Sequence, residues 1–133
     1  MPPPVGRMAD DLRRRWDPAA AALVGAHVTI AYEVDDGVAS RLRQVAAATA
    51  PVEFTLTRAA CWSSPAGGIY FAVEDRGGAI GALRRSLQID DPPDLPFTPH
   101  VTLVHPRSAT SEGAAAAWSE LRGLHLGRHV TVD

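Results

Sequence analysis

The stretch His100-Val101-Thr102-Leu103 repeats, with one aliphatic exchange, the stretch His27-Val28-Thr29-Ile30, and each copy lies inside a short apolar run. In a β-strand successive side chains point to opposite faces, so His27 and Thr29 share one face while Val28 and Ile30 share the other. His100 and Thr102 stand in the same relation to Val101 and Leu103. Each strand thus carries one apolar face for a core and one face that pairs an imidazole with a hydroxyl. With the polar faces aligned, two imidazoles flank one substrate atom and two hydroxyls donate to its anionic oxygens. That constellation suits phosphoryl chemistry.

Composition alone does not produce the repeat. With 5 histidines in 133 residues, about 0.03 copies of His-Val-Thr are expected by accident. A third copy, His129-Val130-Thr131-Val132, reflects in part the strand propensity of Val and Thr. Context separates it from the other two. Leu12-Arg13-Arg14-Arg15-Trp16-Asp17-Pro18 precedes His27, and Leu83-Arg84-Arg85 through Asp91-Pro92 precedes His100, so both motifs follow a helix, an Asp-Pro stop and a loop. The leucine-to-histidine intervals are 15 and 17 residues, as for two copies of one helix-loop-strand unit. The third copy has no such loop and is expected to lie outside the site.

At this length the chain is expected to form one domain, residues 8–133, behind a flexible tail at residues 1–7. The single cysteine, Cys61, excludes an internal disulfide framework. With no secretory leader and no long apolar span, the expectation is a cytoplasmic, monomeric protein without a membrane partner. All 13 basic residues are arginine. The absence of lysine excludes a Walker phosphate loop, Schiff-base chemistry and a lysine-adenylate ligase. Phosphate contacts therefore fall to Arg, His, hydroxyls or backbone N–H. The net charge of -2 argues against a general nucleic-acid coat. The lone Cys and the His-x-Thr spacing match no common zinc pattern, so no metal and no other cofactor is expected.

Periodicity and turn residues predict a helix over 8–22, a strand over 26–33, and a helix over 38–49 that buries Val38, Leu42 and Val45. A strand runs from Val52 toward Trp62 and returns through the Gly67-Gly68 turn over 69–73. A helix over 79–88, the second motif strand, a helix over 111–122 and a short strand over 128–132 complete an α+β chain of five strands and four helices.

Paired His-x-Thr-aliphatic motifs 73 residues apart, with a Gly hairpin and a helix between them, resemble the two-histidine phosphoesterase superfamily of 2′-5′ RNA ligase-like proteins and cyclic nucleotide phosphodiesterases. The resemblance spans nearly the whole chain. It implies a bilobal fold with a pseudo-twofold axis, concave mixed or antiparallel sheets, flanking helices and a central cleft. By the same resemblance His27 and His100 match the catalytic histidines, and Thr29 and Thr102 the phosphate-orienting hydroxyls. The implied substrate is RNA or a nucleotide bearing a 2′-5′ or 2′,3′-cyclic phosphodiester, cleaved by paired-histidine acid-base catalysis without a metal. The alternative is a non-catalytic RNA- or nucleotide-binding module that keeps the cleft. The chain departs from the family pattern twice. Met1-Pro2-Pro3-Pro4 offers no strand before the first helix, and His105 stands where many relatives carry an Arg five residues after the second motif histidine. The matching position after His27 is Tyr32, an aromatic suited to stacking on a base.

Overall fold

The structure is a computed structural model that describes residues 1, 4–32 and 34–133. Its frame is a sheet of four antiparallel strands, β1 (Val52–Cys61), β2 (Ile69–Glu74), β3 (His100–Val104) and β4 (His125–Val132), in the order β3-β2-β1-β4. Alternation gives the sheet two unlike faces. Phe54, Leu56, Ile69, Phe71, Val101, Leu103 and Val130 are buried on one face, against Ala9, Ile80, Ala114, Ala117 and Leu121 of the helices. The opposite face carries the polar positions of the same strands, Tyr70, His100 and Thr102 among them. A bulge leaves Thr57 and Arg58 between the buried Leu56 and Ala59, one residue more than strict alternation allows.

The helices are α1 (Val5–Trp16), α2 (Pro18–Leu23), α3 (Asp36–Ala48), α4 (Ala79–Ser86) and α5 (Ser111–Leu121). The α+β class, the antiparallel sheet and the flanking helices are as expected. Helix α1 starts at Val5, inside the segment expected to be a tail, and Met1 packs against the core; Pro2 and Pro3 lie outside the described residues. The helix expected over 8–22 is two helices. A residue before proline is barred from the helical region, and Asp17 accordingly takes φ -146° and ψ 67° before Pro18. Its carboxylate then caps α2, accepting from Ala20 N at 3.1 Å.

Two further expectations fail for want of a partner. The segment predicted as a strand over 26–33 makes no ladder pairing; Glu33 lies outside the described residues. Side chains satisfy its backbone instead. Ala26 N donates to Asp10 at 2.6 Å, and buried Arg84 of α4 donates to the Ile30 carbonyl while pairing with Asp91 and lying 3.7 Å over the Phe97 ring. Among the described residues, therefore, the first strand begins at Val52, and four strands and five α-helices stand where five and four were expected. Helix α3 buries none of its residues, and Leu42 of its predicted stripe is 45% exposed. Capped by Asp35, it is tied to α4 through the Arg41 bond to the Leu87 carbonyl, at 3.0 Å.

Candidate active site

The second motif is built as the sequence predicts. Pro99 holds the approach extended, its carbonyl accepts from Val73 N at 3.3 Å, and β3 starts at His100. Strand pairing sets His100 opposite Ala72 and Thr102 opposite Tyr70, so imidazole, hydroxyl and phenol share the open face. Trp62, from the far end of β1, completes the cluster. Its ring lies 4.5 Å from that of Tyr70 and meets the His100 ring edge-on at 5.1 Å, with Tyr70 5.3 Å from His100.

Both motif histidines make the same local hydrogen bond. His100 Nδ1 lies 2.7 Å from the carbonyl of Thr98, and His27 Nδ1 lies 2.8 Å from the carbonyl of Gly25. A carbonyl only accepts, so in each ring Nδ1 carries the proton and Nε2 is left for other work. A neutral ring then accepts a proton at Nε2, and a charged one donates from it.

The two rings come from different parts of the fold, His100 from β3 and His27 from the unpaired segment before α3. His27 is exposed and is among the residues that line an apolar pocket with Val28, Ile30, Val52, Phe54 and Ile80. His100 stands on the open face with Tyr70 and Thr102. Thr29 is half-buried in the same unpaired segment, between Val28 and Ile30, which pack against the core. Tyr32 is 69% exposed. His105 follows the end of β3. Its Nδ1 accepts from Arg107 N at 3.1 Å, which places the proton of the neutral ring on Nε2 and makes that atom a donor.

The third motif lies in β4, where His129 pairs with Thr55 and alternates with buried Val130. It occupies the open face, but at the opposite edge of the sheet from β3. Three strand spacings, roughly 14 Å, separate those edges, too far for one phosphate to touch both histidines. His129 Nε2 lies 3.9 Å from Glu53 Oε1. Replacing His129 with Ala is accordingly expected to leave kcat/KM within about threefold, measured beside the His100→Ala variant. An equal loss in both would move the site to β4.

Three residues escaped the sequence reading. Trp62 and Tyr70 flank the Gly hairpin on its wet side, and the signal was there in two aromatics set around Ser63-Ser64-Pro65-Ala66-Gly67-Gly68. The third, Asp17, is read from the sequence only as a helix stop. In the fold it is 3% exposed and accepts from His105 N and Ser108 Oγ, both at 2.7 Å. Burial raises the pKa of this carboxyl, and hydrogen bonds from His105, Ser108 and Ala20 outweigh that effect and set it below its ordinary 3.8. Asp17 thus anchors the leading helices to the end of the strand that carries His100 and Thr102.

No helix is long and apolar enough to cross a membrane among the described residues. No curated protein matches the chain. A family model does, that of the 2′-5′ RNA ligase superfamily, over residues 1–133, the span that holds both His-x-Thr motifs. The chain therefore belongs to the 2′-5′ RNA ligase superfamily of two-histidine phosphoesterases.

Proposed function

We propose that the protein is a metal-independent phosphoesterase acting on 2′-5′ or 2′,3′-cyclic phosphodiester bonds of RNA or nucleotides, with His27 and His100 as its acid-base pair. The observation that carries this reading is the matched bond from Nδ1 to the carbonyl two residues earlier, which gives both histidines the same free Nε2. One ring, neutral, takes a proton from water or a ribose hydroxyl as that oxygen attacks phosphorus. The other, charged, delivers a proton to the leaving oxygen. Thr29 and Thr102 donate to the non-bridging oxygens as charge grows there, and His105 Nε2 and Tyr32 are available to phosphate and base.

The reading requires both rings to meet one phosphate, His100 from β3 and His27 from the unpaired segment at residues 24–32. That segment makes no ladder bonds. Two side-chain bonds, from Ala26 N to Asp10 and from Arg84 to the Ile30 carbonyl, hold its backbone, along with the packing of Val28 and Ile30.

The aromatic cluster of Trp62 and Tyr70 around His100 favours a second reading, a nucleotide-binding module centred on these residues. One experiment decides between them. The purified protein, with chelator present, is offered 2′,3′-cyclic nucleotides, 2′-5′ oligonucleotides and ADP-ribose cyclic phosphate. Turnover that persists under chelation supports the phosphoesterase. Binding of the nucleotides without turnover selects the module.

A further inference from the structure

Trp62 lies outside the hydrophobic core. The core closes on the other face of the sheet, and the indole contributes nothing to it, yet the hairpin is shaped around this side chain. Trp62 N donates to the Gly68 carbonyl at 3.2 Å. Gly68 sits at φ 114°, where a side chain is strained, and a Cβ there lies 3.2 Å from Trp62 Cδ1 and 3.3 Å from Pro106 Cδ. Glycine therefore lets the indole lie down against the turn. Tyr70 supports it from beneath, the two rings tilted by 31°, and 40% of Trp62 remains exposed. An aromatic held this firmly, and still open to solvent, loses little side-chain entropy when a flat partner stacks on it.

We propose that the exposed part of Trp62, supported by Tyr70, is the stacking platform for the nucleobase of the nucleotide whose phosphate meets His100. The platform rests on the reading of His100 as a phosphate-facing residue and adds the side chains that select a base-bearing phosphoester over a bare sugar or polyol phosphate. Its placement supports this. The Trp62 ring centre is 5.1 Å from that of His100, so a base on the indole and a phosphate at Nε2 are joined through a single ribose. Stacking is sequence-tolerant because every base presents a π-face, so the platform selects nucleotides over other phosphoesters without selecting one base. Neither Trp62 nor Tyr70 takes part in proton transfer, so both are specificity residues.

The test compares Trp62→Ala and Trp62→Phe with the wild type on two diesters, 2′,3′-cyclic AMP and the base-free glycerol 1,2-cyclic phosphate. Binding of adenosine 2′-monophosphate and of inorganic phosphate is measured alongside by calorimetry. For Trp62→Ala, KM for cyclic AMP is expected to rise roughly 10- to 100-fold with kcat within about threefold, and the glycerol diester to be turned over as before. Adenosine 2′-monophosphate should weaken by a similar factor and inorganic phosphate not at all. Trp62→Phe, which keeps a π-face, should recover most of the loss. Equal losses on both diesters would mean that the indole merely positions His100, and would overturn the platform. If no diester is turned over, the binding arm still decides: nucleotide affinity that falls in Trp62→Ala sustains the platform while the phosphoesterase reading fails. A wild type that binds the nucleotide no better than phosphate rejects it. Should the alanine variant lose its fold, Trp62→Leu, which retains bulk without a π-system, is expected to show the same selective loss of nucleotide affinity.

Discussion

Replacing His100 with Ala is expected to lower kcat/KM on a 2′,3′-cyclic nucleotide by roughly 10²–10⁴-fold, the range for one proton-transfer role, and replacing His27 is expected to do the same. The double variant should fall little further, because an acid and a base that serve one transition state fail together. The outcome also reads whether both motifs serve one phosphate. His100 stands beside Thr102 and Tyr70 on the open face, whereas His27 lines the pocket with Phe54 and Ile80. If His27 does not serve the same phosphate, His27→Ala turns over substrate as the wild type does, while His100→Ala does not. Equal losses in the two single variants, at unchanged thermal stability, require the first motif to reach the phosphate. Added chelator is expected to leave the wild-type rate unchanged. Activity that vanishes with chelator would reject the metal-free mechanism.

Where the sequence reading succeeded, the deciding information was local. Alternation in Val52-Glu53-Phe54-Thr55-Leu56-Thr57, the Gly67-Gly68 turn and Pro99 before His100 were enough to place β1, β2 and β3 within a few residues. The placement of His100 and Thr102 on one open face followed from the same alternation. The first motif shows what alternation lacks. His27-Val28-Thr29-Ile30 has the same residue pattern, but a strand exists only against another strand, and here Asp10 and Arg84 take its backbone groups. Helix α3 fails for a related reason. Val38, Leu42 and Val45 define a stripe by spacing, and spacing does not say that anything packs on it. Trp62 and Asp17 were missed because their roles arise from contacts made across the fold. The Asp17 carboxylate is 88 positions from its partner His105, and no window of sequence joins them.

Asp17→Ala is expected to lower stability by about 3–5 kcal/mol, near the upper end for a single substitution. The carboxylate accepts from Ala20 N, His105 N and Ser108 Oγ, and removing it strips the cap from α2 while leaving donors without partners in a site 3% exposed. At this chain length that corresponds to a melting temperature lower by roughly 10–20 °C. Asp17→Asn, which keeps one acceptor and loses the charge, should fall between the two. The contribution is also pH-dependent with a definite sign. A carboxyl whose folded pKa lies below its ordinary 3.8 releases its proton more readily folded than unfolded, so its stabilisation is full above that ordinary value and drains away as pH falls through the lower folded value. The stability gap between wild type and Asp17→Asn, measured by denaturant unfolding, should therefore be constant from about pH 7 to pH 5 and narrow below about pH 4. A gap that stays the same at about pH 3 would assign the loss to shape rather than charge. Because Asp17 holds the end of the strand bearing His100 and Thr102, the variant should also show a raised KM at temperatures where it remains folded, and wild-type kinetics there would confine Asp17 to stability alone.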